Sequence, residues 1–213
     1  MKKMIEMKNI NKCFKEEKIL DEINLELYDN RIYGFVGRNG SGKTVLFKLI
    51  CGYLRADSGE VIVEGKILGK ENDFPQSLGA LIEKPGFLWY ETAFTNLDYL
   101  AKIKNQISKE KIMETISLVG LDPYSKKKVG KYSLGMKQRL GIAQAIMEDP
   151  NILILDEPMN GLDEAGVELI RKLILQYKNE NKIILLASHN KEDIDTLCDE
   201  VYFVDSGKIK KMK

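Results

Sequence analysis

Apolar residues recur along this chain with two different periods, and the change between them outlines the elements. They alternate with polar residues at Ile23, Leu25 and Leu27, and a second short apolar segment covers residues 61–63. Period-two alternation predicts strands, here as an antiparallel flank beside the main core. A continuous apolar run at residues 32–36 predicts a strand that is buried on both faces.

The second half of the chain alternates between helical and strand patterns. Helical spacing predicts helices at about residues 134–147 and 164–177, and wholly apolar runs predict strands at residues 152–155 and 183–187. Helices that alternate with fully apolar strands indicate a parallel sheet covered on both faces. We therefore expect an α/β fold whose sheet is mostly parallel.

A Lys-rich segment of helical spacing, from about residue 87 to residue 133, separates these two parts. We interpret it as a helical sub-lobe inserted into the core. The chain has 213 residues, of which 44% are hydrophobic, enough for one large domain. The prediction is a single domain over residues 1–213, with an antiparallel β flank and an inserted helical sub-lobe.

Composition narrows the class of protein. A net charge of +1 gives no global attraction to nucleic acid, so the basic run at residues 126–128 is interpreted as solvated surface. The 3 scattered cysteines lack metal-type spacing, which favours packing roles in a reducing compartment. Glu6 and Asn9 interrupt any signal-peptide core, and no apolar run reaches membrane-spanning length. We expect a cytoplasmic protein that meets a membrane only through a partner.

A glycine-rich segment between the apolar run and a helical pattern carries the strongest chemical signal. It matches G-x-x-x-x-G-K-T and consists of Gly37, Arg38, Asn39, Gly40, Ser41, Gly42, Lys43 and Thr44. Such a loop aims several backbone N–H groups at one anion, and the helix N-terminus adds partial positive charge. Lys43 can reach the β- and γ-phosphates, and the Thr44 hydroxyl can hold Mg²⁺. The segment predicts binding of a nucleoside triphosphate.

Two adjacent acids follow the apolar run at residues 152–155. Asp156 and Glu157 come at the carboxyl end of a predicted parallel strand, where ligands collect in open α/β sheets. Asp156 can hold Mg²⁺, and Glu157 can accept a proton from an attacking water. The alternative is that both acids mark a strand that ends in solvent, but a phosphate loop in the same chain favours the catalytic interpretation.

A serine precedes the helix at about residues 134–147, in the order Ser133-Leu134-Gly135-Met136-Lys137-Gln138-Arg139. Ser133 is an N-cap candidate, and the helix end is a second possible anion site. The order of phosphate loop, Ser-x-Gly-x-x-Gln-Arg, Asp-Glu-Pro, Asn-Gly-Leu-Asp at residues 160–163 and Ser-His at residues 188–189 resembles the ATP-binding cassette (ABC) ATPase family. The resemblance covers essentially the whole chain.

In that family two cassettes pack head to tail, and each ATP lies between them. The resemblance implies that Ser133 and Gly135 contact the γ-phosphate of ATP on the partner. It also implies that Phe14 stacks on adenine, that Asp163 lies at the dimer interface, and that His189 lies near the γ-phosphate. From the residues alone, Phe14 could equally be core, and His189 could be a residue of a capped turn.

Two departures from the family pattern stand out. The signature has Leu134 and Met136 where the family usually has glycine and glutamine, which leaves in place the phosphate contacts implied for Ser133 and Gly135. Glu83 occupies the position of the family's glutamine that touches Mg²⁺. Since a unit negative charge about 4 Å from a phosphate oxygen costs on the order of 4 kcal/mol at an effective dielectric of about 20, we expect Glu83 to face metal or water.

The Ile-Glu-x-Pro pattern at residues 82–85 resembles the bacitracin-resistance and lantibiotic-immunity branch of ABC exporters. This resemblance implies an ATPase subunit that uses ATP and Mg²⁺, forms a dimer of identical cassettes and drives a separate membrane permease. The run Phe87-Leu88-Trp89-Tyr90 would then face the permease. Packing inside the helical sub-lobe is the alternative.

Two other classes of protein compete with this interpretation. Residues 190–193 fit the N-K-x-D guanine motif, and residues 163–166 fit D-x-x-G, so a GTPase is possible. Asp163 also suits a helix cap, which would make the second match accidental. A non-transport cassette acting on ribosomes or DNA usually adds coiled coils or a second cassette. This chain has neither, so we expect no nucleic-acid partner.

Overall fold

A computed structural model describes residues 1–180 and 182–213. Within them, ten strands and six α-helices follow the chain. The strands are β1 (Lys3–Phe14), β2 (Glu17–Tyr28), β3 (Arg31–Val36), β4 (Ser58–Val63), β5 (Lys66–Ile67), β6 (Leu78–Leu81), β7 (Ile152–Asp156), β8 (Ile183–Ala187), β9 (Glu200–Asp205) and β10 (Lys208–Lys211). The helices are α1 (Lys43–Ile50), α2 (Ala93–Lys104), α3 (Lys109–Leu118), α4 (Leu134–Ile146), α5 (Glu164–Lys178) and α6 (Lys191–Leu197).

The larger sheet has six strands in the order β10-β9-β3-β8-β7-β6. Five consecutive strands of this sheet, β9-β3-β8-β7-β6, run parallel to one another, and only β10 is antiparallel to its neighbour, β9. This confirms the predicted α/β fold with a mostly parallel sheet. Because parallel strands end on one edge, β3, β7 and β8 deliver the residues that follow them to one place.

The smaller sheet forms the predicted antiparallel flank. Its order is β2-β1-β4-β5, and each neighbouring pair is antiparallel. Its buried face packs together with α1 and one face of the larger sheet. The flank therefore holds the helix that follows the phosphate loop.

Two hydrophobic cores lie on opposite faces of the larger sheet, and β7 contributes to both. Ile152 and Ile154 pack with the antiparallel flank and α1, while Leu153 and Leu155 pack with the other helices. Burial on both faces explains why this strand is apolar without interruption.

The segment at about residues 87–133 contains α2, α3 and a short 3₁₀ turn, Val129–Lys131. Thr92 caps α2 and Ser108 caps α3, each by accepting a backbone N–H of the first turn. Their apolar sides join the core that also contains α4 and α5. The sub-lobe division itself stays a prediction. No described helix combines the length and apolar character that a membrane crossing needs.

Candidate active site

A cavity of about 590 Å³ opens at the carboxyl ends of β3, β7 and β8. Its walls combine phosphate-loop residues with an aromatic ring, acids and an imidazole, among them Phe14, Lys43, Asp156, Glu157 and His189. The structure thus gathers residues that are far apart in sequence at the sheet edge where ligands are expected.

The phosphate loop joins β3 to α1, as the sequence predicted. Gly37 has a φ of +153° and could not be replaced, because a Cβ there would lie 2.1 Å from the Val204 carbonyl oxygen. Gly42, at the N-cap of α1, has a left-handed φ of 105°, which glycine adopts without steric cost. These two positions fix the path of the loop against its neighbours.

Two polar side chains of the loop are poised for an anion. The Lys43 ammonium is buried and donates to the carbonyl oxygens of Gly37 and Arg38, at 2.7 and 3.0 Å. Burial lowers the pKa of Lys43, against the opposing attraction of Glu157 and Asp156. The buried Ser41 hydroxyl has no hydrogen-bond partner in the part of the chain that the structure describes. A phosphate group would satisfy both.

Two oxygen ligands suitable for Mg²⁺ meet below the phosphate loop. The Thr44 hydroxyl donates to Asp156 Oδ2 at 2.7 Å, and this hydrogen bond joins the first turn of α1 to the last residue of β7. Hydroxyl and carboxylate oxygens, completed by water and phosphate oxygens, are what Mg²⁺ takes in nucleotide sites. The predicted pair therefore fits the ion.

Glu157 directly follows β7 and has a left-handed backbone, with a φ of 52°. Its N–H donates to Ala187 O at 2.9 Å, and Gln138 of α4 donates to its carbonyl at 2.9 Å. A left-handed glutamate costs on the order of 1–3 kcal/mol and persists only where its surroundings hold it. Gln138 belongs to the Ser-x-Gly-x-x-Gln-Arg motif, but its contact with the Glu157 backbone was not predicted from the sequence.

The Glu157 carboxylate turns into the cavity beside His189. The His189 backbone N–H donates to Oε2 at 3.4 Å, and the imidazole Nε2 lies 3.2 Å from Oε1. Even so, Oε1 is buried and accepts no aligned hydrogen bond from the described residues. Burial raises the pKa of Glu157, and neighbouring Asp156 adds to this, while His189 opposes it. The result is a carboxylate with a raised pKa, held beside the His189 imidazole.

Glu83, expected to face metal or water, has a partner that was not predicted from the sequence. It lines the cavity, yet its carboxylate accepts a hydrogen bond from Lys48 of α1 at 2.7 Å. Its side chain is 63% exposed, and its backbone is left-handed, with a φ of 58°. Because Lys48 lies one turn beyond Thr44, the pair places a compensating positive charge beside the extra acid. A role of Glu83 toward the metal stays a prediction.

The adenine-stacking residue implied by the resemblance is accessible. Phe14 ends β1, lines the cavity and is 45% exposed, so the core alternative for this residue is wrong. The Lys12 ammonium lies 5.5 Å from the centre of its ring. A flat ligand could still cover the remaining face.

Ser133 and Asp163 are both helix caps in this chain. Ser133 Oγ accepts the Met136 N–H at the start of α4, and Asp163 Oδ1 accepts the Gly166 N–H at the start of α5. Neither Ser133, Gly135 nor Asp163 is among the residues that line the cavity. Leu134, which lies between Ser133 and Gly135, does line it. Contact of Ser133, Gly135 and Asp163 with a nucleotide on a second cassette stays a prediction.

The same geometry accounts for the two guanine-like motifs. The D-x-x-G match is the cap of α5, because Asp163 and Gly166 are joined by its hydrogen bond. In the N-K-x-D match, Asn190 caps α6 through the Glu192 N–H, and Asp193 is fully buried against Arg171. These side chains have structural partners, so the GTPase interpretation loses its support.

A phosphate loop at a strand-to-helix junction, a Thr–Asp oxygen pair and a catalytic-type glutamate at one sheet edge define a P-loop nucleotide-binding domain. The sequence profile of the ABC transporter family matches residues 20–160. The chain belongs to this family, as an ATP-binding subunit.

Relatives extend the match over nearly the whole chain. The ABC transporter ATP-binding protein YybJ of Bacillus subtilis is 44% identical over 97% of this chain and 94% of its own length. The bacitracin transport ATP-binding protein BcrA of Bacillus licheniformis is 39% identical over 98% of this chain and 69% of its own. The lantibiotic transport ATP-binding protein SrtF of Streptococcus pyogenes is 33% identical over 97% and 89%. These relatives match the branch that the Ile-Glu-x-Pro pattern suggested.

Solved structures agree on the fold. The dimeric structure of MJ0796, a bacterial ABC transporter cassette, superposes with a TM-score of 0.87 at 20% identity over 99% of both chains. A nucleotide-free ATP-binding cassette gives 0.86 at 23% identity, over 100% of this chain and 92% of its own. The cassette architecture is therefore present throughout the described residues.

Proposed function

We propose that this chain hydrolyses ATP to ADP and phosphate and thereby drives a separate membrane permease that exports peptide antibiotics. The observation that carries the hydrolytic part is the Glu157 carboxylate, which has a raised pKa and lines the same cavity as Lys43 and Thr44. A base of this kind is what attack of water on a phosphate requires.

The residues divide the work among them. The phosphate-loop amides and Lys43 hold the β- and γ-phosphates, and Ser41 adds a hydroxyl donor. Thr44 and Asp156 would hold Mg²⁺, which neutralises phosphate charge when bound. Glu157 takes the proton of the attacking water, and His189, whose backbone contacts the same carboxylate, faces the transferred group. Phe14 supplies a surface for adenine.

A second copy of the chain completes the site in this proposal. Ser133, the N-cap of α4, and Gly135 in its first turn do not line the cavity of their own subunit, and in this proposal they approach the γ-phosphate of a partner. The N-terminus of α4 offers that partner backbone N–H groups and a partial positive charge. Asp163 would lie at the same interface.

The permease would meet the exposed aromatic turn before α2. Trp89 and Tyr90 are 71% and 52% exposed and contact each other edge to face. Buried Asn96 holds this turn by bonding the backbone N–H and carbonyl of Leu88, at 2.7 and 3.1 Å. A rigid pair of exposed aromatic rings suits a protein interface. Docking there would place the subunit on the cytoplasmic side of the membrane.

Two measurements test the proposal. Tagged chain purified from membranes of the source organism should bring down a membrane protein, and a Trp89→Ala, Tyr90→Ala variant should lose it, whereas Ile103→Ala, exposed elsewhere on α2, should not. Deletion of the gene should lower resistance to bacitracin or to a lantibiotic. Recovery of ribosomes or nucleic acid in place of a membrane protein would favour the non-transport class.

Glu83 should matter for coupling in this account. Glu83→Gln should alter permease-stimulated hydrolysis and export while leaving the isolated subunit close to wild type, because the side chain is exposed and its pair with Lys48 is solvent-screened. If wild type and Glu83→Gln were equal in hydrolysis by the isolated subunit, in permease-stimulated hydrolysis and in export, Glu83 would have no role in coupling.

A further inference from the structure

A buried carboxylate lies behind the His189 loop and takes no part in the chemistry described above. Asp193 of α6 is 0% exposed, and its two oxygens have different partners. Oδ1 accepts two hydrogen bonds from Arg171 of α5, from Nε at 2.9 Å and from Nη2 at 2.6 Å. Oδ2 accepts the Ser188 hydroxyl at 3.1 Å.

The contact with Ser188 carries the ion pair into the active-site loop. Ser188 directly precedes His189, and its hydroxyl oxygen also accepts the Asn190 N–H at 3.1 Å. The residues on both sides of His189 are thereby tied to Asp193. The loop in turn places the His189 N–H and imidazole against the Glu157 carboxylate.

Arg171 is the anchor of this chain of contacts. Its guanidinium also reaches Glu192, with Nη1 at 3.1 Å from Oε1, so it grips two successive acids of α6. Its side chain is only 15% exposed. A planar guanidinium holds acceptors in a fixed direction, which a lysine ammonium does not. Arg171 belongs to α5, whose N-terminus is capped by Asp163. The ion pair therefore attaches the His189 loop to that helix.

We propose that Arg171 is a positioning residue for ATP hydrolysis, which sets the place of the His189 imidazole beside Glu157 through Asp193 and Ser188. This inference rests on the proposed hydrolytic function. The competing interpretation is a buried ion pair that only fastens α6 to α5. Under that interpretation, loss of Arg171 would lower stability without moving the imidazole.

The chain contains 1 histidine, so the imidazole gives a single, self-assigned NMR signal. We would compare the His189 Cε1–Hε1 resonance in wild type, Arg171→Lys and Ser188→Ala, at a temperature where all three are folded. Ser188→Ala removes only a hydroxyl and serves if Arg171→Lys does not fold. Lys172→Ala is the control, because Lys172 is the next residue of α5 and is 77% exposed. The proposal expects the resonance to shift in the first two variants and not in the control.

Kinetics supply the second arm. Misplacing a catalytic group by about 1 Å can cost up to roughly 100-fold in rate, so kcat should fall in Arg171→Lys while KM for ATP stays within about twofold. The variant is then combined with His189→Ala. If Arg171 acts through His189, its replacement should lower kcat no further in that background.

Two results would overturn the proposal. One is an unshifted imidazole resonance in both Arg171→Lys and Ser188→Ala. The other is a fall in kcat that persists in the His189→Ala background, which would mean that Arg171 acts by another route. The NMR arm needs no turnover, so failure of the proposed hydrolysis would leave it readable.

Discussion

The packing of β6 on α4 provides a sharp test of the fold, because one glycine allows it. A Cβ added to Gly79 would lie 1.8 Å from the Ala145 carbonyl oxygen and 2.9 Å from Pro150 Cγ. The first of these atoms is backbone of α4 and cannot rotate away. Overpacking typically costs about 1–3 kcal/mol, and a clash with helix backbone belongs at the upper end, near 3 kcal/mol. For a domain of this size, about 2–4 °C of Tm per kcal/mol predicts a loss of roughly 6–12 °C in Gly79→Ala.

Differential scanning fluorimetry without nucleotide measures this loss directly. Gly86→Ala is the matched control, because no atom lies within 4 Å of the Cβ it would add. Its Tm should stay close to that of wild type. A Gly79→Ala protein that melts with the control would refute the close contact of β6 with α4, and with it the path that carries the chain to Glu83.

Two further predictions concern titratable groups. Burial raises the pKa of Glu157 in the folded protein above its ordinary 4.5, so ionisation of this acid opposes folding. Its contribution to the stability of wild type therefore falls as pH rises from 4.5 to the raised pKa. Glu157→Gln should therefore gain Tm over wild type as pH rises from about 4 to about 8, and a constant difference would contradict the burial of this acid. Burial also raises the pKa of Cys51 and of Cys198 to about 12, so a thiol reagent should label only the half-buried Cys13 before denaturation. Rapid native labelling of a second thiol would contradict that packing.

Much of the fold could be predicted because hydrophobic burial is periodic. The run at residues 183–187 coincides with β8, and the helix expected at residues 164–177 is α5 within one residue. β1 was not predicted, since register shifts and a left-handed Asn9 break its alternation. β6 was missed because it is short and contains Gly79, whose presence reflects a tertiary contact with α4 rather than strand propensity.

The chemistry of the site was predictable where it depends on motif spacing, and not where it depends on three-dimensional contacts. The phosphate loop and the meeting of Thr44 with Asp156 follow from a strand-to-helix motif and a parallel sheet. The pairing of Glu83 with Lys48 joins residues 35 positions apart, and nothing in either segment signals it. Likewise, only the structure shows that the Asp193 carboxylate binds Arg171 and is not available to recognise a guanine base.

Steady-state hydrolysis of MgATP by purified wild type and Glu157→Gln, alongside ATP binding by both, tests the central claim most directly. Lys43→Ala, which should lose nucleotide binding, is the control for a site that cannot hold phosphate. If Glu157 is the general base, Glu157→Gln should bind ATP as wild type does and lose roughly 10²–10⁴-fold in kcat, because an amide cannot accept the proton of water. Hydrolysis by Glu157→Gln within about a factor of two of wild type would contradict the account.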